Sequence, residues 1–157
     1  GREKRRLFVL SRGRHPNSCL VCLMPFVSVL DTSERPTRFS FSQATLLGWA
    51  PDGGMFWPES VPKLNKSELL TWAELTYPQL VGALLKRFVA SSEDDLSHAD
   101  IDAIMEVAFV SFGSASIVEL KELKDLRVLE LWHGRSLAFK DLGMSVLGAI
   151  LSLLLEK

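Results

Sequence analysis

One lysine near the end of the chain occupies a position that a charged side chain rarely takes. Lys140 stands between a glycine-containing turn and a nearly continuous apolar run, in the stretch HGRSLAFKDLGMSVLG of residues 133–148, and lysine is among the residues least often buried. At the first turn of a helix that enters a core, the helix dipole and desolvation both disfavour an ammonium. We therefore expect an amine that deprotonates easily, as Schiff-base chemistry with a carbonyl cofactor requires.

The residues alone leave a second interpretation of Lys140 open. A lysine whose ammonium reaches solvent from the start of a helix is the commoner arrangement. Asp141, the next residue, is then simply a first-turn carboxylate that interacts favourably with the helix dipole.

The other residues that could bind a metal or do redox chemistry are few and scattered. Cys19 and Cys22 form the only C-x-x-C pair, and His15, His98 and His133 stand apart from it and from one another. A zinc site or a redox motif needs a second Cys/His pair or a following βαβ unit. We therefore interpret the cysteines as two thiols in an apolar context, with no disulfide framework, and we predict no metal site.

The elements around Lys140 are predicted to be a strand, a loop and a helix. Residues 127–131, RVLEL, are predicted to form a short strand, and WHGRS follows as the loop. The strand's side chains that suit a buried sheet position are Val128, Leu129 and Leu131. Ser136 is a suitable N-cap for a helix that begins near Leu137. The helix over 142–155 is apolar almost all round, which predicts burial on every side in a larger structure.

Upstream, residues 36–110 carry repeated signals for the start of a helix. The predicted capping pairs are Ser40–Gln43, Asn65–Glu68, Thr76–Gln79 and Ser97–Asp100. The apolar stripes expected to face a core are Leu80, Val81, Leu84, Leu85, Phe88 and Val89, then Ile101, Ile104, Met105 and Ala108. A tight turn over 51–54 leads into a short strand that Pro58 ends, and 110–120 is predicted to be a linker. This region is therefore expected to be mainly helical.

Composition and charge limit the classes of protein to which the chain can belong. It has 157 residues, 47% of them hydrophobic, and a net charge of −1. The length predicts one ordinary domain, or one small domain and a piece of another, and the net charge predicts no general nucleic-acid partner. The first 30 residues nevertheless hold six basic side chains and one acidic one. Their apolar run over 19–30 is too short for a stable membrane span, which needs about 20 residues.

The basic and apolar leader has more than one interpretation. It fits the start of a fragment as well as it fits a targeting leader, and nuclear localisation is a third alternative. We expect residues 1–35 to be poorly ordered. The protein is expected to be cytoplasmic unless residues 1–30 target it to an organelle.

Two motifs resemble one known family at the family's own spacing. LELWHGRSLAFKDLG (129–143) resembles the signature around the cofactor lysine of threonine synthase and threonine synthase-like proteins, which usually reads L-E-L-F-H-G-P-T-x-A-F-K-D. FSFSQATLLGWAPDGGMFWPESVPKL (39–64) resembles the same family around its A-x-D-G-G-L-F-x-P motif. Arg135 and Ser136 stand where the family usually has Pro and Thr. The family's opening S-T-R segment is not recognisable over 27–41, so the leader is expected to lie outside the family sequence.

The resemblance implies an α/β protein in two parts. A small, mainly helical threonine synthase N-terminal domain would cover 36–118, after an unassigned leader over 1–35. Residues 119–157 would be the strand, loop and helix that begin a fold type II pyridoxal-phosphate-dependent catalytic domain, which is truncated here.

The resemblance also implies a reaction and its residues. Pyridoxal 5′-phosphate would be the cofactor and O-phosphohomoserine the substrate, converted with water to threonine and phosphate. Lys140 would hold the cofactor and move protons, while Phe139 and His133 would shape the cofactor pocket and Ser136 would bind substrate. Because the chain stops before the family's phosphate-binding loop, we expect no turnover and only weak, non-specific reaction of the cofactor with many lysines.

Two alternatives to a threonine synthase remain. The first is a threonine synthase-like phospho-lyase, which eliminates phosphate to give a keto acid, and the second is a non-catalytic truncated product. The sequence does not decide the oligomeric state.

Overall fold

The computed structural model of the protein describes residues 24–89, 95–113 and 116–157. Over those residues five helices and four short strands form a mixed α/β fold, as predicted. In chain order they are β1 (Phe26–Ser28), α1 (Phe41–Leu47), β2 (Phe56–Pro58), α2 (Lys66–Trp72), α3 (Tyr77–Leu85), α4 (His98–Ala108), β3 (Glu119–Leu123), β4 (Leu126–Glu130) and α5 (Lys140–Glu156). No helix in these ranges is long and apolar enough to cross a membrane. Cys19 and Cys22 lie outside the described residues.

Strands β1 and β2 pair antiparallel. The hydroxyl of Ser28 in β1 donates a 2.7 Å hydrogen bond to Asp52 in the turn before β2. That turn needs glycine twice, because Gly53 has a φ of +83° and a Cβ on Gly54 would collide with the Ser28 hydroxyl. The predicted turn, and the predicted end of the strand at Pro58, are confirmed.

Strand β1 lies within the leader that was predicted to be poorly ordered. Phe26 exchanges two 2.9 Å backbone hydrogen bonds with Phe39, and its ring meets Phe41 edge-on, with 5.9 Å between the centroids. These contacts hold the segment against the start of α1. The prediction of poor order is therefore wrong for residues 24–35, and residues 1–23 lie outside the described part of the chain.

Four helices begin at the predicted caps. Ser40, Asn65 and Ser97 each accept a hydrogen bond from the backbone N–H three residues later, and that later residue's side chain accepts from the cap's own N–H. At Thr76 the backbone N–H donates to Oε1 of Gln79 at 2.9 Å. These bonds satisfy donors that the start of a helix leaves without partners, so local sequence decides where the four helices begin.

The core lies where α4 packs against α3 on one side and against α5 on the other. The predicted stripe of α4 is buried as expected: Ile101, Ile104, Met105 and Ala108. A Cβ on Gly82 of α3 would lie 3.1 Å from Cγ of Met105, so the two helices approach closely there. The stripe predicted for α3 is confirmed only in part, because the helix ends at Leu85 and Leu84 is exposed.

Strands β3 and β4 form an antiparallel hairpin that the sequence analysis did not predict. We expected a linker over 110–120 and a single buried strand over 127–131. Leu129 is instead 53% exposed, and Val128 and Leu131 are only half-buried. The described residues place no third strand beside β4, so the expectation of burial is wrong within this chain.

Helix α5 confirms the apolar helix that was predicted over 142–155, with two corrections. It begins three residues after the expected start near Leu137, and Ser136 is not its N-cap. Within this chain the helix buries Val146 and Ile150, which are four residues apart and therefore lie on one face. The burial on every side that was predicted for a larger structure stays a prediction.

Candidate active site

Lys140 is the first residue of α5, and its side chain is exposed. Phe139, the residue before it, has helical backbone angles and a 72% exposed side chain. The start of a helix is therefore confirmed as the setting of Lys140, and its exposure within this chain agrees with the interpretation in which the amine reaches solvent and not with the buried one. The amine is open to a carbonyl compound that arrives from solvent.

The carboxylate of Asp141 closes the loop that precedes Lys140. The backbone N–H of Ser136 donates to Oδ2 of Asp141 at 2.6 Å, and the Ser136 hydroxyl donates to Oδ1 at 2.5 Å. Both bonds lower the pKa of the Asp141 carboxyl, and the bond from the hydroxyl has the larger effect. We name this pair of bonds the Ser136–Asp141 clasp.

Two backbone features show how tight this loop is. Leu137 has a φ of +56°, in the left-handed region that is unfavourable for a residue with a Cβ, and its N–H donates to the Gly134 carbonyl at 3.2 Å. Gly134 is buried, and a Cβ there would collide with the Asp141 carboxylate. Glycine at position 134 is therefore required by the clasp.

His133 joins the same loop to the β3–β4 hairpin. Its Nδ1 lies 2.6 Å from the carbonyl oxygen of Ser116, and its Nε2 lies 3.1 Å from the carboxylate of Glu130. Both ring nitrogens therefore face hydrogen-bond acceptors. Only the imidazolium, which carries a proton on each nitrogen, can donate to both of them. The Ser116 carbonyl, and then the Glu130 carboxylate, raise the pKa of His133 above its usual value despite partial desolvation.

Two glutamates lie beside His133. Glu119 and Glu130 stand opposite each other in the hairpin, and ligand atoms of all three residues lie within 4.8 Å of one another. Oxygen and nitrogen atoms of this kind bind metals. Each carboxylate already has a cationic partner, however, because Lys121 lies 2.5 Å from Glu119 and His133 pairs with Glu130. We interpret the group as a charge-balanced cluster.

Two clefts among the described residues lie away from Lys140. One, of about 610 Å³, is lined by residues of β1 and the turn before β2, among them Ser28, Asp31 and Asp52. The other, of about 520 Å³, lies between α3 and α4. Because the loop 133–139 lines neither, the described residues leave the lysine on an open surface.

The structure places all the sequence-predicted site residues on one short segment that runs from the loop after β4 to the first residue of α5. They are His133, Ser136, Phe139 and Lys140. The partners of His133 were not predicted from the sequence, and Asp141 was expected to interact with the helix dipole rather than with Ser136. Glu130 had a visible signal, since it stands three residues before His133 in the motif. Ser116, 17 residues before His133, had none.

Comparison with known proteins decides the family. Residues 28–109 match the family model described as Threonine synthase N terminus, which is more than half of the chain. The chain belongs to the threonine synthase family. The match begins at Ser28, so the expectation that residues 28–35 lie outside the family sequence is wrong.

Two curated relatives show what share of a threonine synthase family member's length this chain covers. Threonine synthase-like 2 of Xenopus laevis is 40% identical over 118 residues, which are 74% of this chain and 25% of the relative. Threonine synthase of Pseudomonas aeruginosa is 33% identical over 129 residues, or 82% of this chain and 27% of the relative. The chain therefore spans about a quarter of the length of the relatives it matches.

Solved threonine synthase structures share the fold. The yeast enzyme superposes with a TM-score of 0.75 at 26% identity, over 84% of this chain and 26% of that chain. The structure described as PLP-bound threonine synthase from Brucella melitensis gives 0.74 at 29% identity, over 85% and 28%. The described fold is therefore that of the N-terminal region of threonine synthase.

Proposed function

We propose that the chain is the N-terminal portion of a pyridoxal-phosphate-dependent enzyme that converts O-phosphohomoserine and water to threonine and phosphate. The observation that carries the proposal is the position of Lys140, an exposed amine at the start of α5 within the family's cofactor-lysine motif. We further propose that residues 36–118 form the N-terminal domain and that 119–157 begin the catalytic domain.

The residues present fit the aldehyde end of pyridoxal phosphate. A primary amine is the group that condenses with an aldehyde, and the amine of Lys140 is accessible. The related enzyme from Brucella melitensis is described as PLP-bound, which supports the same cofactor here. When bound, the cofactor supplies an electron sink for carbanion chemistry, while the protein supplies binding and orientation.

The side chains around Lys140 would divide the remaining tasks. The Lys140 amine takes and returns protons next to the reacting carbons, as a positioned general base does. The exposed ring of Phe139 offers an apolar wall for the cofactor. His133 uses both ring nitrogens within the protein, so it would shape the pocket by holding the loop before Lys140 against the β3–β4 hairpin. The Ser136 hydroxyl donates a hydrogen bond to Asp141 and keeps lone pairs that can accept a hydrogen bond from substrate.

A second candidate function is that of a phospho-lyase that eliminates phosphate and gives a keto acid. The observation that favours it is the higher identity to threonine synthase-like 2 of Xenopus laevis, 40%, than to threonine synthase of Pseudomonas aeruginosa, 33%. Both candidates use the same lysine. They differ in the product, so an assay for threonine and for the keto acid distinguishes them.

The role of Lys140 is tested in a hybrid enzyme. Residues 28–157 replace the aligned N-terminal part of the Brucella melitensis threonine synthase, and threonine formation is measured. Lys140→Ala is expected to lower kcat by at least about 10²-fold, as loss of a positioned general base does. The matched control is Lys66→Ala, since Lys66 is also an exposed lysine at the first position of a helix. A folded hybrid that keeps its activity without Lys140 would refute the role of this lysine.

The 157-residue chain is assayed separately with pyridoxal phosphate and O-phosphohomoserine. We expect no release of threonine, keto acid or phosphate, because the chain spans only about a quarter of its relatives' length and its lysine lies on an open surface. Turnover that disappears in Lys140→Ala would show that this portion is a complete enzyme.

A further inference from the structure

Helix α5 starts differently from the other helices of the described chain. Helices α1, α2 and α4 begin at Ser40, Asn65 and Ser97, whose side chains accept a backbone N–H. At α3 the Thr76 side chain accepts none, but Gln79 accepts the Thr76 N–H. Helix α5 has Phe139 at that position, and no side chain caps it. Something other than a cap must therefore decide that this helix begins at Lys140 and not one turn earlier or later.

The loop before the helix also holds a conformation that its own sequence does not favour. Leu137 has a left-handed backbone, φ +56°, and a residue with a Cβ adopts this region only when its surroundings hold it there. Burial does not hold it, because the Leu137 side chain is 73% exposed. The bonds that surround it are the Ser136–Asp141 clasp on one side and its own N–H to the Gly134 carbonyl on the other.

We propose that Asp141 is a positioning residue for Lys140, because its carboxylate accepts both polar hydrogens of Ser136 and so holds loop 133–139 in the conformation that begins α5 at Lys140. The two residues are adjacent, so a fixed Asp141 side chain also fixes the backbone from which the Lys140 amine extends. The proposal rests on Lys140 being the cofactor lysine. Its test needs no cofactor.

Gly134 supports this role from the other side of the carboxylate. It is buried, and its missing side chain leaves the space that the Asp141 carboxylate occupies. The loop thus places Ser136, which donates, and Gly134, which has no Cβ, around the Asp141 carboxylate. Both are needed for that carboxylate to accept the two hydrogen bonds from Ser136. If Asp141 interacted only with the helix dipole, neither the donors of Ser136 nor a glycine at position 134 would be needed.

The test compares the backbone order of the loop in the 157-residue chain and four variants, by 15N relaxation without cofactor. Residues 136–140 of the unchanged chain are expected to have order parameters near about 0.85, and Asp141→Ala is expected to lower them below about 0.6. Ser136→Ala is expected to lower them in part, while Ser136→Thr, which keeps the hydroxyl, restores them. Asp125→Ala, at the exposed hairpin turn, is the matched control and should leave them unchanged.

Urea unfolding of the same variants separates positioning from general stability. If Asp141→Ala lowers the free energy of unfolding but leaves the order parameters of 136–140 unchanged, Asp141 has only a structural role and the proposal is overturned. Equal order parameters of residues 136–140 in Ser136→Ala and Ser136→Thr would also overturn the proposal. This pair of variants decides the test if Asp141→Ala fails to fold. A different outcome separates this proposal from the proposed function. If Asp141→Ala lowers the order parameters of residues 136–140 but the hybrid enzyme stays active without Lys140, the proposed function is refuted and the role of Asp141 in holding the loop is retained.

Discussion

His133 is the residue whose side chain connects the most distant parts of the candidate site. Its ring contacts the carbonyl of Ser116 and the carboxylate of Glu130, and Glu119 adds to the negative charge around it. Lys121 on β3 is the nearby cation, and it pairs with Glu119. A protonated His133 therefore ties the loop before Lys140 to the hairpin.

This geometry predicts a pH dependence of stability. The folded pKa of His133 is raised above the unfolded value, which is about 6.5. The contribution of His133 to the free energy of unfolding is then fully present below the unfolded pKa, and it is lost as pH rises through the folded pKa. In urea unfolding, His133→Gln should be less stable than the unchanged chain at pH 5.5, and the difference should shrink by pH 9.

The Glu130→Gln background provides the control for that measurement. His133→Gln is expected to show a smaller pH dependence there, because one of the two acceptors has lost its charge, while the Ser116 carbonyl still favours the protonated ring. A difference that grows with pH in either background would contradict the assignment of His133 as an imidazolium.

At the scale of elements, the packing of α4 against α3 and α5 forms the hydrophobic core of the described residues. Ile101 of α4 is completely buried among residues of these helices. Ile101→Ala leaves a cavity in that packing and should lower the free energy of unfolding by about 2–5 kcal/mol. Val107→Ala on the same helix is the matched control, since Val107 is 62% exposed and a surface change of this kind stays within about 0.5 kcal/mol. Equal losses for the two variants would show that α4 does not face the core as described.

At the scale of the whole molecule, the described chain exposes many large apolar side chains around the candidate site. Those on the hairpin and the loop are Leu120, Leu123, Leu126, Leu129, Trp132, Leu137 and Phe139. Leu120 pairs with Leu129 and Leu123 with Leu126, so each face of the hairpin carries an exposed apolar pair, and exposed apolar surface favours association. The 157-residue chain should therefore sediment as a growing fraction of oligomers as its concentration rises.

Polar substitution on the hairpin tests that prediction. Leu126→Ser combined with Leu129→Ser should shift the sedimentation profile toward monomer, since both side chains are more than half exposed. The control is Val110→Ser, a change at a side chain that is 78% exposed and lies after α4, outside the hairpin. An unchanged profile in the double variant would place the association surface elsewhere.

The sequence by itself determined the features that depend on neighbours a few residues apart. The caps at Ser40, Asn65 and Ser97 need only a partner three residues later, and the buried stripe of α4 follows from the period of the helix. The motif around Lys140 likewise predicts the candidate site from residues that are close together in the chain.

Tertiary structure alone decided the contacts between segments that the sequence does not mark as neighbours. The hairpin reverses at Lys124–Asp125, and Lys124 has a φ of +52° without the Gly or Asn that signals such a turn. Because that reversal was not visible, neither the pairing of Glu119 with Glu130 nor the bond from His133 to Ser116 could be predicted. The exposure of Lys140 was also undecided by sequence, because burial depends on which elements pack over a helix start and not on the residues that form it.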